Sequence, residues 1–73
     1  MHLDSANHTA ITVNGEATET QARTLAELVA ACGFAETQVA TALNGDFVAR
    51  TARAATQLRE GDKVEIVAPR QGG

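Results

Sequence analysis

The chain contains few of the residues on which several classes of protein depend. Its 73 residues include one cysteine, one proline, no tryptophan, no tyrosine and two phenylalanines. With Cys32 alone, neither an internal disulfide nor a thiolate metal site can form, which fits a reducing compartment. No apolar run approaches the roughly 18 residues of a membrane span, and residues 1–9 lack the apolar core of a signal peptide. We therefore expect a soluble, cytoplasmic protein with no membrane partner.

Positive charge is scarce as well. Six Lys and Arg residues against nine Asp and Glu residues give a formal net charge of −3 and a pI of about 5.1. The basic residues are dispersed along the chain, whereas contacts to phosphates need clustered Lys and Arg. The two aromatic residues, Phe34 and Phe47, are too few to form a base-stacking platform. We therefore expect no binding to nucleic acid.

The length argues against a self-contained enzyme. A chain of 73 residues forms one small domain, which buries roughly 60% of the surface that its unfolded form exposes. That leaves no room for both a core and a deep pocket. The sequence offers no nucleophile–base pair and no metal constellation, and His2 and His8 are most simply solvent-exposed residues. The expectation is no catalytic residue, no metal site and no bound cofactor.

Two Asn-Gly pairs indicate where the chain turns back on itself. Residues 10–13 are partly β-branched and alternate between inward and outward positions, which predicts a strand. Asn14-Gly15 then predicts a two-residue hairpin turn into a weakly patterned strand over 16–21. Residues 39–43 predict a third strand, and Asn44-Gly45 turns it into a short fourth strand over 46–48. An alanine-rich helical turn over 51–58 and a tight turn over 60–62 precede the last strand, over 63–67. The inward-facing positions are Ile11, Val13, Val39, Thr41, Leu43, Val64 and Ile66.

One helix stands between the two hairpins. Thr24 and Glu27 form a capping box, in which the Thr24 side chain accepts from the Glu27 N–H while the Glu27 side chain reaches back. Gly33 ends the helix in a left-handed conformation, and Phe34 folds back against it as in a Schellman motif. The spacing predicts a helix over about 25–32 with Cys32 as a small buried hydrophobe. Its apolar face is formed by Leu25, Leu28, Val29 and Cys32.

This order of elements predicts an α+β fold. One helix across one face of a mixed sheet, with the first and last strands parallel, is the β-grasp or ubiquitin-like arrangement. The expected organisation is a flexible arm over residues 1–9, the β-grasp domain over 10–68 and a flexible tail over 69–73. Pro69 is unsuited to a paired strand, and no apolar residue follows it. Fully extended, the tail would reach roughly 17 Å, although many such termini have no function.

Five stretches of the chain, in order from residue 10 to the end, form a joint pattern, although no single one is specific. They are Ile11-Thr-Val-Asn-Gly-Glu16, Thr24-Leu-Ala-Glu-Leu28, Leu43-Asn-Gly-Asp-Phe-Val-Ala-Arg50, Leu58-Arg-Glu-Gly-Asp-Lys-Val-Glu-Ile-Val67 and Gly72-Gly73. Together they resemble the ThiS family of sulfur carrier proteins, which serve thiazole formation in thiamine biosynthesis. Two departures are Ala49, where the family often has proline, and the lack of a tryptophan after Arg50.

The resemblance implies a carrier that other enzymes act on. An E1-like, ThiF-type enzyme would use ATP to convert the Gly73 carboxylate, a poor electrophile, into an acyl-adenylate. A sulfur-donating protein would then supply the sulfur of a Gly73 thiocarboxylate, which a ThiG-type thiazole synthase receives. The resemblance also implies that these partners recognise the tail through Gly72, Gln71 and Arg70.

The sheet face opposite the helix is the expected docking surface. Strand alternation points Ala40, Ala42, Glu65 and Val67 away from the core. Small apolar residues with a charged rim suit a transient protein contact. An ordinary half-solvated sheet would look the same.

Two other functions remain open at this point. The small subunit of molybdopterin synthase resembles the chain in fold and tail but serves a different acceptor. A non-covalent ubiquitin-like binding module would have an inert tail. Whether an intact Gly73 is needed for function separates the second alternative from a carrier.

Overall fold

The computed structural model describes residues 8–68, which form a five-stranded sheet with one helix across a face. Every predicted element is present, and the ends of the strands differ from the predicted ones by at most one residue, while the helical turn predicted over 51–58 lies at Arg50–Ala55. The predicted arm over 1–9 and tail over 69–73 fall largely outside the described residues. The strands are β1 (Thr9–Val13), β2 (Glu16–Thr20), β3 (Ala40–Leu43), β4 (Asp46–Val48) and β5 (Lys63–Val67), and the helices are α1 (Leu25–Ala31) and a 3₁₀ helix (Arg50–Ala55).

The last strand in sequence lies in the middle of the sheet. The strand order is β2-β1-β5-β3-β4. β5 runs parallel to β1 and antiparallel to β3, while each outer pair is an antiparallel hairpin. The predicted parallel pairing of first and last strands is thus confirmed, and the topology is that of a β-grasp fold. Because β5 is central, it has a neighbouring strand on each side, but β1 pairs only with its first two residues, Lys63 and Val64.

Both Asn-Gly pairs form the hairpin turns that the sequence predicts. Asn14 and Gly15 have φ angles of 53° and 87°, and Asn44 and Gly45 have 52° and 90°. Positive φ at both central residues defines a type I′ turn, whose twist matches that of the flanking strands. Asparagine and glycine are the residues that adopt this conformation at least cost. These turns determine which residues face each other across the two hairpins.

The helix begins and ends close to the predicted residues. Thr24 Oγ1 accepts from the Glu27 N–H at 3.2 Å, while the Glu27 carboxylate accepts from the Arg23 N–H at 2.7 Å. At the other end, Gly33 N–H donates to Ala30 O and Phe34 N–H to Val29 O, which is the Schellman pattern. No helix among residues 8–68 is long and apolar enough to cross a membrane.

The prediction for Cys32 is wrong, because this side chain is exposed. The helix has only seven residues, and Cys32 is its C-terminal cap rather than part of a further turn. At that position the side chain lies beside β2, an edge strand of Glu, Ala and Thr whose first four residues are exposed. An open groove of about 480 Å³ separates β2 from α1 there, and Cys32 lines it.

The core lies between α1 and the covered face of the sheet. Its buried apolar residues come from β1, α1 and β5 and from the residues just before β3 and after the 3₁₀ helix, and Val13, Phe34, Leu43 and Val48 pack at its margin. Thr41 also faces inward, as predicted, and is only 1% exposed. The buried hydrophobic residues are Ile11, Leu25, Leu28, Val29, Val39, Leu58, Val64 and Ile66.

A buried arginine completes the core, and sequence reasoning missed it. Arg53 is 3% exposed. Its guanidinium donates to the Thr41 hydroxyl at 2.9 Å, to Glu36 O at 2.8 Å and to Val39 O at 2.7 Å. These three bonds join the 3₁₀ helix to β3 and to the loop before it, and they compensate for the loss of hydration.

Candidate docking face and the root of the tail

The described chain ends one residue after β5, at Ala68. On one side of the strand, Val67 is paired with Ala40 of β3. On the other side, the main chain of Ile66 bonds to the side chain of Asn14 at 2.9 and 3.0 Å. We call residues 66–68 the root of the tail. The root is therefore held from the β3 side at Ile66 and Val67 and from the other side at Ile66.

The four predicted docking residues lie together on the face opposite the helix. Register pairs Ala40 with Val67 and Ala42 with Glu65, so the four form two adjacent cross-strand pairs. Ala40, Glu65 and Val67 are exposed, and Val67 is 58% exposed, whereas Ala42 is half-buried. The alternation of β3 and β5 thus places these side chains as the sequence predicts.

Phe47 belongs to the same face, although sequence reasoning did not include it among the predicted docking residues. It is paired with Ala42, which is in turn paired with Glu65. Phe47 is 75% exposed, and within the described chain it and Val67 are the two exposed large hydrophobic residues. The signal was available, because an Asn-Gly turn at 44–45 and an inward Val48 require Phe47 to point outward. We call Ala40, Ala42, Phe47, Glu65 and Val67 the docking face.

The docking face combines apolar area with a few charges. Phe47 on β4 and Val67 on β5 are the large apolar side chains. Ala40 and Ala42 on β3, the strand between them, leave room for a partner to approach. Glu65 carries one charge, and Lys63 adds a charge of opposite sign because it alternates with the inward-facing Val64. An aromatic residue among small apolar ones with charges at the margin is a common composition for a protein-binding surface.

Several predicted site residues lie outside the docking face. Gly73, Gly72, Gln71 and Arg70 lie outside the described residues, so their predicted role in modification and recognition stays a prediction. His8, which we expected to be exposed, is half-buried, and its Nε2 lies 3.4 Å from the amide nitrogen of Gln21. Within residues 8–68, no group of three His, Cys, Asp or Glu side chains is placed to hold a metal ion.

Comparisons with known proteins agree with this architecture. The model of the ThiS family matches residues 6–73. The chain is similar to the crystal structure of a thiamine biosynthesis protein (ThiS) from Geobacter metallireducens, with 33% identity, a TM-score of 0.73 and coverage of 89% of this chain and 100% of that one. A solution structure of a thiamine biosynthesis protein from the same organism is similar at 32% identity, with a TM-score of 0.74 and coverage of 89% and 88%. No curated protein matches the chain significantly.

Proposed function

The chain belongs to the ThiS family, and on that premise we propose that it is a sulfur carrier for thiamine biosynthesis whose Gly73 carboxyl group carries the sulfur. The observation that carries the proposal is the family match, which extends through Gly72 and Gly73. Both similar solved structures are described as thiamine biosynthesis proteins. This description favours thiazole formation over the molybdopterin alternative.

The proposed chemistry converts a carboxylate into a thiocarboxylate on the surface of partner enzymes. An α-carboxylate is ionised at neutral pH and resists attack by a nucleophile. On an E1-like, ThiF-type enzyme, a Gly73 carboxylate oxygen attacks the α-phosphorus of ATP, and pyrophosphate leaves. Hydrosulfide, supplied by a sulfur-donating protein, then attacks the acyl carbon, and AMP leaves. The resulting thiocarboxylate sulfur is the nucleophile that a ThiG-type thiazole synthase receives.

The chain is a protein co-substrate in this scheme and needs no catalytic residue of its own. The folded body supplies binding energy, while the reacting atom lies at the end of the tail, so that positioning is separate from chemistry. Glycine at positions 72 and 73 suits a narrow channel, because without a Cβ the main chain can approach partner atoms closely. Recognition of Arg70 and Gln71 by the same channel belongs to the proposal.

We propose that the docking face binds the activating enzyme. Residues 68–73 reach at most about 20 Å when fully extended, so the adenylating site must lie within that distance of Val67. The surface around Val67 must therefore lie against the enzyme while Gly73 reacts. Ala40 is the cross-strand partner of Val67, and Ala42 and Phe47 continue the same face across β3 and β4. Together they offer the apolar area that such a contact needs.

Intact-mass analysis tests the carrier function. The protein is incubated with ATP, a ThiF-type enzyme and a sulfide source, and we expect wild type to exchange one oxygen for sulfur. Deletion of Gly73 should abolish the exchange, because the carboxylate retreats by about 3.3–3.6 Å. Gly73→Ala keeps the reach and should react much more slowly.

Two results would contradict the carrier function. If the deletion variant gained sulfur as fast as wild type, the modified atom would lie elsewhere, and Cys32 would be the residue to examine. If wild type gained no sulfur with any activating enzyme, a non-covalent binding module would explain the chain better.

A matched pair of lysine substitutions tests the docking face. Val67→Lys places a charge opposite Ala40 on the docking face, while Thr18→Lys makes a similar change at an exposed strand residue on the other side of the sheet. We expect Val67→Lys to raise the KM for the carrier at least about tenfold, the size of a typical hot-spot effect, and Thr18→Lys to leave it unchanged. Equal KM values for the two variants would place the contact elsewhere.

A further inference from the structure

Each of the two Asn-Gly turns bonds to β5, and they do so at opposite ends of the strand. The Asn14 N–H donates to Val64 O at 2.9 Å, its Oδ1 accepts from Ile66 N–H at 2.9 Å, and its Nδ2 donates to Ile66 O at 3.0 Å. The Asn44 N–H donates to Lys63 O at 2.7 Å and its Oδ1 accepts from Lys63 N–H at 2.9 Å. Asn14 thus holds the end of β5 next to the tail, and Asn44 holds the other end.

The Asn14 side chain acts as a strand partner where β1 has already ended. The register between β1 and β5 stops at Val13 and Val64, because the chain then enters the turn. The N–H and C=O of Ile66 both bond to Asn14, so both point towards the β1 side of the strand. A carboxamide matches this pair of groups, since it offers one acceptor and one donor in a plane. The Ile66 main chain is held on that side by this amide.

We propose that Asn14 is a positioning residue for the sulfur-carrying terminus, because it holds the root of the tail from the side that β3 does not reach. The proposal rests on the proposed function of Gly73. With the Asn14 bonds in place, the end of β5 has a neighbour on both sides. Without them the end of β5 keeps only its pairing with β3, in which Ile66 faces Thr41 and Val67 faces Ala40, and it can pivot about that edge.

A small pivot at the root would become a large displacement at the tip of a tail held extended in the partner. Five fully extended residues span roughly 17 Å, so a pivot of about 10° would move the end of such a chain by about 3 Å. A displacement of about 1 Å at a reacting centre can cost on the order of 100-fold in rate. Binding in the channel of the partner reverses part of this displacement, but ordering the tail there costs conformational entropy. Loosening the root therefore lowers the fraction of encounters in which Gly73 reaches the adenylating site.

Asn44 provides a control that is matched in nearly every respect. It occupies the same position of the same turn type, and its φ angle is 52° against 53° for Asn14. Its Oδ1 also accepts from an N–H of β5, while its Nδ2 donates to the Asp62 side chain. It differs in acting at Lys63, about 13 Å along the strand from Val67. Asn44 is not part of the docking face. If both residues serve stability alone, substitutions at the two positions should have similar effects on kcat. If Asn14 positions the tail, the effects on kcat should differ.

The experiment compares Asn14→Gly with Asn44→Gly. Glycine keeps the positive φ that the turn requires and removes only the side-chain amide. Carrier concentration is varied in the ATP-dependent assay with a ThiF-type enzyme and sulfide, at a temperature at which both variants are folded. For Asn14→Gly we expect kcat to fall about tenfold, a fraction of the loss that misplacement can cause, with KM unchanged because the docking face is intact. Asn44→Gly should keep kcat within about twofold.

Amide hydrogen exchange on the same proteins gives a readout that does not depend on activity. Asn14→Gly should speed exchange at the Ile66 amide, and Asn44→Gly at the Lys63 amide. Asn14→Asp is a second variant that keeps the acceptor for the Ile66 N–H but sets a carboxylate oxygen against the Ile66 carbonyl, and it should also lower kcat.

Three results would overturn the proposal. Equal kcat values for the two glycine variants would show that the contact with Asn14 serves folding alone, while the carrier function would stand. An Ile66 amide that exchanges in Asn14→Gly as slowly as in wild type would show that the side chain does not hold the root. Sulfur uptake by the protein lacking Gly73 would overturn the carrier function, and with it any positioning role.

Discussion

The two faces of the sheet expose the same strands to different environments and carry different residues. On the covered face, Ile11, Val64 and Ile66 are buried against α1. On the open face, Phe47 and Val67 keep most of their surface in solvent. Apolar area that is buried within the chain contributes to folding, at about 25 cal/mol per Å². Apolar area left exposed gives no such contribution and is available to a partner.

Charged groups are bonded within the protein on the covered face and hydrated on the open face. The covered face contains a guanidinium, that of Arg53, and it is retained there by three directed hydrogen bonds. On the open face, Lys63 and Glu65 are exposed and hydrated. A charge inside the core is tolerated only with its bonds satisfied, whereas a charge outside can bond to water or to a partner. Substitutions on the covered face should therefore change stability, and those on the open face should change association.

The largest effect is expected for Leu28→Ala. Leu28 is buried on the face of α1 that packs against the sheet, and its truncation should lower the free energy of unfolding by roughly 2–5 kcal/mol. For a domain of this size that loss unfolds much of the protein. Urea denaturation followed by circular dichroism measures the change. Val67→Ala is the control from the open face and should stay within about 0.5 kcal/mol. An unchanged midpoint for Leu28→Ala would show that the core face is wrongly assigned.

Arg53→Ala should have a somewhat smaller effect on stability. The substitution leaves the carbonyls of Glu36 and Val39 without their donor, and we expect a loss of about 2–4 kcal/mol. Arg53→Lys should recover only part of it, because one ammonium group cannot reproduce the fork of a guanidinium. Arg50→Ala, at an exposed residue of the same 3₁₀ helix, is the control and should be nearly neutral. Equal stability of the two alanine variants would contradict a structural role for Arg53.

Phe47→Ala should separate association from folding. Because Phe47 is 75% exposed, we expect unfolding to change by no more than about 0.5 kcal/mol. The KM for the carrier in the adenylation assay should rise about tenfold, as for an aromatic hot spot. If stability fell and KM did not change, Phe47 would serve the fold, and the functional distinction between the faces would fail at that residue.

The smallest effect is expected for Arg70→Ala, in the predicted tail. The chain has a net charge of −3, and we expect Arg70 to pair with an acidic rim on the partner. Its loss should weaken association several-fold at low ionic strength and less at high salt, since exposed charge pairs are screened. Titrations at two salt concentrations test this expectation. A loss of affinity that does not depend on salt would speak against an electrostatic role.

Local signals in the sequence were sufficient to predict most of the fold. The Thr24 cap and Gly33 set the limits of α1, and the two Asn-Gly pairs set the hairpins, because each acts through its own backbone and near neighbours. Alternation along β3 and β5 also predicted which side chains share the docking face, since a strand has a period of two. The exposure of Cys32 could not be read in this way, because it depends on what lies beside the end of the helix.

The sequence by itself determined the elements, their turns and the inward and outward sides of the central strands, because these follow from backbone preferences and the spacing of apolar residues. Only the tertiary structure decided which distant groups meet. Arg53 donates to the Val39 carbonyl across 14 positions, and Asn14 accepts from the Ile66 N–H across 52. Neither contact has a local signal, because a guanidinium or a carboxamide can bond to many main-chain groups. The folded sheet selects the partner by placing an otherwise unpaired carbonyl or N–H within reach.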